Sequence, residues 1–333
     1  MKLSSCTAVA GTNIALVKYW GKRDVALNLP ATGSLSLTLK EMGTRTTVRF
    51  GGQLVNEDRV RLNGREPDPQ TCARVGAFLD LVRERAGIKA RAEVITENSV
   101  PTAAGLASSA SGFAALAMAA SRAAGLALLP AQLSALARRG SGSAARSIFG
   151  GFVEMRAGVL ADGTDAVAVS IPEGDGWPVR LVVAETAEGE KAIGSTAAME
   201  RTTRTSPYYE AWIDSVPRDI QEARAALNEH DLPRLGAIAE RSALRMHACA
   251  MAADPPIVYW TPATLAAMDA VRALRRRGVE AYFTVDAGPH VKVLCHLDTV
   301  AEVQAAMAAS PGVRATLVAS PGRGARILHE TTA

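Results

Sequence analysis

The stretch PTAAGLASSASG, Pro101–Gly112, decides how this chain is read. Apart from Pro101 and Leu106 its side chains are small, so a ligand can approach the backbone without obstruction. Ser108, Ser109 and Ser111 stand where an apolar run, 112–131, opens. The unpaired N–H groups of a helix start, with hydroxyls beside them, make a bed for a polyphosphate and its Mg²⁺. The same residues also suit an ordinary capped helix with a small-residue packing face, and chemistry alone leaves both readings open. GxxxxGK[ST] and GxGxxG are absent here, so neither a Walker loop nor a Rossmann dinucleotide site is supported.

Working outward, residues 90–96 read as a strand leading into this loop, and a helix begins near Ser108. Gly125 stops that helix and Pro130 starts another ending at Arg138. The Gly/Ser loop 140–143 precedes a short helix, then strands near 151–157, 165–171 and 180–186. Upstream, 8–20 and 44–62 alternate as strands, and 70–86 carries Val75, Phe78, Leu79 and Val82 at helical spacing. Beyond 190 the chain turns Ala-rich: helices over 208–227, 232–252 and 262–277, strands 280–285 and 290–296 around a tight loop, a helix near 298–309, and a closing β pair near 313–328. The pattern predicts an α+β protein of two lobes, 1–185 and 186–333. There is no internal repeat, heptad run or disordered tract.

Composition agrees. Of 333 residues, 48% are hydrophobic and 21% charged, which is ordinary for a globular chain with one large or two medium cores. The net charge of +4 is mild and dispersed. Arg275, Arg276 and Arg277 close a helical run, where cations complement terminal carbonyls, and this outweighs a nucleic-acid patch. Cys6, Cys72, Cys249 and Cys295 form no CxxC pair, which points to a reduced, cytosolic protein. The first residues have too short an apolar core for a signal peptide. The run 112–131 is broken by Ser121 and Arg122 and reads as a buried helix rather than a membrane span. The five histidines are scattered; His290 and His296 flank a predicted strand and form no metal cage.

Three further groups carry chemistry. Asp286 follows the apolar strand AYFTV and precedes Ala287-Gly288, as many turn aspartates do. Arg146 lies just after the Gly/Ser loop. A guanidinium there can fork onto a carboxylate, or simply end a helix at the surface. Strict alternation puts Asn13, Val17 and Tyr19 on one strand face and Lys18 and Trp20 on the other. They share a pocket only if the strand bulges or ends near Lys18, and Gly21 makes an end there plausible.

The pattern P-x3-G-L-x-S-S, Pro101–Ser109, resembles the nucleotide-binding motif of the GHMP kinase superfamily, and the fuller PTAAGLASSASGFAAL is similar to the version in diphosphomevalonate decarboxylases. Three more blocks agree in order: NIALVKYWGKRD (13–24) with LPATGSLS (29–36), GSGSAARSIFGG (140–151), and AYFTVDAG (281–288). Together they run from residue 8 to about 295. The resemblance implies a two-lobed GHMP kinase-like fold, with a ribosomal protein S5 domain 2-like N-terminal lobe and a ferredoxin-like C-terminal lobe.

It also implies roles. Pro101, Ala104, Gly105, Leu106, Ala107, Ser108 and Ser109 would hold ATP, with Mg²⁺ carried by the nucleotide near Ser108 rather than by a protein metal site. Asp286 would be the catalytic aspartate, Arg146 the clamp on the substrate's C1 carboxylate assisted by Asn13, and Ser141, Gly142 and Ser143 the lining of that pocket. Lys18, a third catalytic candidate, would join Tyr19, Lys22 and Ser195 in holding the diphosphate end. The implied reaction turns mevalonate 5-diphosphate and ATP into isopentenyl diphosphate, ADP, phosphate and carbon dioxide, a step of isoprenoid biosynthesis, in a cytoplasmic homodimer without nucleic-acid or membrane partners. Rival readings are a decarboxylase of the monophosphate, a 3-kinase of the same superfamily, and a non-catalytic nucleotide-binding protein; the last should lack Asp286 and Arg146. Three positions depart from the pattern: Ala145 where Cys is common, His290 where Asn is frequent, and Thr196 where some relatives carry Arg.

Overall fold

In the computed structural model, which describes residues 4–51, 57–99, 108–187 and 192–331, the two early β-rich stretches become the spine of one sheet. β1 (Ser4–Val17) pairs antiparallel with β4 (Ser34–Phe50) along most of its length. The small strands β2 (Lys22–Asp24) and β3 (Leu29–Pro30) form a separate hairpin between them. β5 (Arg59–Leu62) and β6 (Ala92–Asn98) extend the sheet on the β4 side, and β7 (Phe152–Met155) and β8 (Ala168–Ser170) attach to the first half of β4. β4 begins ten residues before the expected strand at 44. Its opening SLSLTL alternates, but β7 covers it too, so Leu35, Leu37 and Leu39 and the intervening Ser34, Ser36 and Thr38 are all buried. Small hydroxyl residues at buried strand positions hide the usual apolar/polar contrast.

α1 (Pro69–Ala86) starts under Asp68, whose carboxylate accepts from the Thr71 N–H, and stops at Gly87 in the left-handed region. α2 (Ser108–Ala123) packs on β1 and β4 through a buried, largely alanine face that also carries Phe113 and Leu116, with Ser111 accepting or donating to Thr44 Oγ1 at 2.7 Å. α3 (Pro130–Gly140) leads into a 3-10 helix, Gly142–Ile148, which lies against α2 and β1.

The second sheet contains β9 (Val179–Glu185), β10 (Ala281–Val285), β11 (Val291–His296) and β12 (Ala315–Ala319) in the order β10-β11-β9-β12, all antiparallel. Between β9 and β10 lie α4 (Ser195–Thr205), α5 (Tyr209–Glu229), α6 (Leu232–Met251) and α7 (Pro262–Arg276); α8 (Val300–Ala308) joins β11 to β12. This β–α–β–β–α–β order with the last strand beside the first is the ferredoxin-like arrangement. β9 therefore belongs to the second sheet, although 185 was the expected lobe boundary. α4 was not expected: among its eleven residues only Ala198, Met199 and Thr202 are buried, too few to mark a helical period.

The expected closing β pair is a correction. β12 pairs with β9 in the second sheet, whereas β13 (Arg326–Thr331) returns to the first and pairs with β1. The two sheets share one core, in which Trp20, Leu35 and Leu37 meet Leu181, Trp212 and Val216. Burial of such large side chains contributes roughly 1.5–3 kcal/mol each before ordering costs, so the lobes are fixed to one another through the residues that follow β1.

Candidate active site

The end of β1 does what strict alternation would forbid. Its register against β4 shifts between Gly11 and Asn13 and again between Ala15 and Val17, and the strand ends at Val17. Each shift re-aims the side chains beyond it. Lys18 is turned inward, 1% exposed, with its N–H donating to Ser242 Oγ on α6 at 3.0 Å and its Nζ to the Ala15 carbonyl at 2.7 Å. Gly21, at φ 93°, makes the turn that follows.

Across the crevice, the β10–β11 hairpin presents Asp286 from its turn, where Gly288 N–H donates to the Asp286 carbonyl at 2.7 Å. Lys18 Nζ donates to Asp286 Oδ1 at 2.6 Å, and Lys292 Nζ, from β11, lies 3.1 Å from Oδ2. Both lysine side chains are buried, whereas the Asp286 side chain remains 30% exposed toward the crevice. Burial alone would raise the Asp286 carboxyl, but Lys18 and Lys292 outweigh it and hold it far below the usual carboxylate range. Burial lowers Lys18 to about 8 against the opposing pull of Asp286. Behind the hairpin, His247 on α6 reaches the Val285 carbonyl at 3.3 Å, and burial, with Lys18 next in importance, lowers it to about 4, so it is neutral.

Arg146 is the third buried cation of this region. Its Nε donates to Asn13 Oδ1 at 3.1 Å and Ser36 Oγ at 3.0 Å, and its Nη1 to Ser34 Oγ at 2.6 Å. Asn13 is held in turn, its Nδ2 donating to the Ser143 carbonyl at 2.9 Å and Ser147 Oγ at 2.7 Å. Only 2% of Arg146 is exposed, and none of the described residues places a carboxylate within ion-pair distance of it. Burial lowers it to about 10, with Tyr19 and Asp286 pulling the other way, so it stays protonated at neutral pH. A desolvated guanidinium fixed by neutral oxygens is an anion site.

Tyr19 meets Gly142 near Arg146, with Ser141 and Ser143 on either side of that glycine. Tyr19 Oη is buried with no hydrogen-bond partner among the described residues, and a Cβ on Gly142 would sit 2.4 Å from it. Ser141 and Ser143 hydroxyls are 3.2 Å apart. Lys22 opens β2, where burial lowers its ammonium; Glu200 opposes that shift, and Arg74 on α1 adds to it. Ser195 begins α4, which packs against β2, so Ser195 and Lys22 lie on neighbouring elements.

Of the phosphate-loop residues, Pro101, Ala104, Gly105, Leu106 and Ala107 lie outside the described residues. Ser108 opens α2, and Ser109 is exposed in its first turn. The helix is anchored by Ser111, which Thr12 Oγ1 reaches at 3.4 Å, so its start is tied to the strand position next to Asn13. An exposed helix start without acidic residues in its first turn fits a polyphosphate. Two of the three departures from the family pattern are packed into the structure: Ala145 is fully buried beside Val153 and Met155, and His290 Nδ1 accepts the Thr186 N–H at 3.1 Å, whereas Thr196 is exposed on α4.

Sequence reading did not single out Lys292, Ser34, Ser36, His247 or Arg74. A signal existed for one of them: Lys292 interrupts VKVLC, a strand buried at every position from Val291 to Cys295.

Residues 10–168 match the diphosphomevalonate decarboxylase-like N-terminal domain and residues 181–317 the mevalonate 5-diphosphate decarboxylase C-terminal domain. The chain belongs to the diphosphomevalonate decarboxylase family. Among family members, the Schizosaccharomyces pombe diphosphomevalonate decarboxylase is 37% identical over 310 residues, covering 88% of this chain and 79% of that protein. The Homo sapiens protein is 36% identical over 324 residues, covering 92% and 80%. Mevalonate diphosphate decarboxylase from Staphylococcus aureus superposes with a TM-score of 0.92 at 38% identity, covering 98% of this chain and 99% of that one. A complex of MDDEF with MVAPP, AMPPCP and magnesium superposes at 0.91 with 42% identity and the same coverage. The decarboxylase family thus shares the two-lobed GHMP kinase-like fold found here. No helix among the described residues is long and apolar enough to cross a membrane.

Proposed function

We propose that the protein uses ATP to phosphorylate the 3-hydroxyl of mevalonate 5-diphosphate and eliminates carbon dioxide and phosphate to give isopentenyl diphosphate. The observation that carries this reading is Arg146: a buried guanidinium held by Asn13, Ser34 and Ser36, with no carboxylate paired to it among the described residues, and close enough to Asp286 for the two charges to interact. A kinase that stops at the 3-phosphate has no need to desolvate and fix a substrate carboxylate.

In this reading Arg146 holds the C1 carboxylate against Ser141, Gly142 and Ser143, while Tyr19, Lys22 and Ser195 grip the diphosphate. Asp286 accepts the hydrogen bond of the 3-hydroxyl and aims its oxygen at the γ-phosphorus; held so acidic, it is a weak base, and orientation is its main contribution. Lys18 neutralises Asp286 and adds positive charge where phosphoryl charge spreads. Once the oxygen is phosphorylated it leaves readily, and the C1–C2 bonding pair becomes the new C2–C3 π bond as carbon dioxide departs. The residues 101–107, with Ser108 and Ser109 at the start of α2, would bed the triphosphate, and Mg²⁺ would arrive with the nucleotide and keep several waters.

The MDDEF complex with MVAPP, AMPPCP and magnesium supports diphosphate, nucleotide and Mg²⁺ as ligands here. Sheet membership supports lobes that divide between β8 and β9, with β13 returning to the first. By family resemblance we read the protein as a cytoplasmic homodimer, which light scattering tests. The function is tested by supplying purified protein with ATP, Mg²⁺ and either phosphorylated mevalonate, following carbon dioxide and ADP together. Equal release of both from the diphosphate is expected; ADP without carbon dioxide, or turnover of the monophosphate alone, would overturn the reading.

A further inference from the structure

Lys18 alone neutralises Asp286, yet a second ammonium sits on the other oxygen. Lys292 Nζ is 3.1 Å from Oδ2 and also donates to the His290 carbonyl at 3.3 Å. It comes from a strand that is buried on both sides, facing Thr284 on β10 and Val183 on β9. A buried ammonium is strongly unfavourable unless it is paired, and the carboxylate that pairs with Lys292 is Asp286. We propose that Lys292 is a positioning residue: by holding Oδ2 while Lys18 holds Oδ1, it fixes the plane and the ionised state of the Asp286 carboxylate against which the reacting hydroxyl is aligned. The proposal rests on the decarboxylase reading above.

The two lysines are not redundant. An aspartate carboxylate turns easily about its last torsion, whose preference is broad and two-fold, and a single donor leaves that rotation open. Lys18 belongs to the end of β1, in the other lobe. Lys292 belongs to the same hairpin as Asp286, so it holds the carboxylate from within its own sheet. The charged and titratable groups facing Asp286 are Lys18 beyond β1, Lys292 on β11, Arg146 on the 3-10 helix and the neutral His247 on α6. With three cations around one anion, the surroundings favour an ionised Asp286, whose carboxyl is held far below the usual carboxylate range.

The test compares Lys292→Met and Lys292→Gln with wild type, each also in an Asp286→Asn background, over a range of pH. Expected for the single variants are a kcat lower by about 10- to 100-fold, KM values for both substrates within about threefold, and an acidic limb of kcat/KM moved to higher pH. In the Asp286→Asn background the same change should alter kcat by less than about threefold, since the lysine acts through that carboxylate. A folded variant with wild-type kcat and acidic limb, a loss confined to KM, or an undiminished factor in the Asp286→Asn background overturns the proposal. So does failure of both variants to fold, which would make Lys292 a structural residue. Absence of wild-type turnover in the same assay would remove the decarboxylase reading and this inference with it; wild-type turnover with insensitive variants would remove the inference alone.

Discussion

Lys18 and Asp286, 268 positions apart in the chain, meet through an Nζ–Oδ1 hydrogen bond of 2.6 Å. One follows the first strand of the first sheet and the other follows β10 of the second, so this contact joins the lobes at the point where the proposed chemistry occurs. The lobes need a rigid connection for such precision, and the core around Trp20 and Trp212 supplies it, with Trp212 Nε1 donating to the Trp20 carbonyl at 3.2 Å.

Asp286→Asn should keep ATP binding and lose turnover by about 10²–10⁴-fold, the range for removing a positioned acid–base or orienting group. Equilibrium nucleotide binding and steady-state carbon dioxide release measure the two halves separately. Near-normal turnover would take Asp286 out of the mechanism.

Arg146→Ala should abolish coupled carbon dioxide release and destabilise the fold by about 1–3 kcal/mol, because Ser34, Ser36 and Asn13 are left with unmet buried partners. Arg146→Lys should fare little better, since an ammonium cannot reproduce the planar fork. Denaturant unfolding and a stoichiometric comparison of ADP with carbon dioxide give both numbers; unchanged carbon dioxide release refutes the clamp.

The pH profile follows from Lys18. Its folded value of about 8 lies below the ~10.4 of a free lysine, so kcat/KM should decline above about pH 8 as the ammonium is lost. Asp286 pulls that value upward, and in Asp286→Asn the alkaline limb should move to lower pH. Between about 8 and ~10.4 the unfolded chain binds the extra proton, so the Lys18 contribution to stability improves as pH rises through that window. Asp286, with its folded value depressed, contributes fully above the unfolded value of ~3.9 and loses that contribution as pH falls toward its folded value. Calorimetry across pH 3–10 checks both; an alkaline limb unmoved by Asp286→Asn would contradict the coupling.

Gly21→Ala should lower stability by at least about 1–3 kcal/mol, because φ is 93° and the new Cβ would fall 2.0 Å from Tyr209 Oη. Gly142→Ala should fold but raise KM for the diphosphate roughly tenfold by displacing Tyr19, whose Oη would be 2.4 Å from the added carbon. Thermal melts and KM values separate the two effects, and a Gly142→Ala enzyme with unchanged KM would remove Tyr19 from the substrate wall.

Much of this was legible in the residues. Helices with strong apolar periods and clear ends, such as α1 with Asp68 and Gly87, emerged close to their expected spans. The need for a bulge or strand end near Lys18 followed from alternation alone. What stayed hidden depended on partners distant in sequence. Ser34 and Ser36 look like polar strand positions until β7 covers them and Arg146 reaches them. Sequence reading does not single out Lys292, and only the pairing of β11 with β9 and β10 shows it enclosed. β12 and β13 look like a hairpin because neighbouring strands usually pair, but the Leu39–Pro321 bridge and the Gly322 N–H to Thr38 carbonyl bond carry the chain back to the first sheet between them.

That return has a consequence for synthesis. β1, which bears Asn13 and runs into Lys18, has β4 on one flank and β13 on the other. On the ribosome its second flank stays bare until Arg326–Thr331 emerge, long after the rest of that sheet has been translated. The nascent protein must therefore carry an unzipped edge through most of its birth, and stalled chains ending before Arg326 should be cut by protease near β1 where released chains are not.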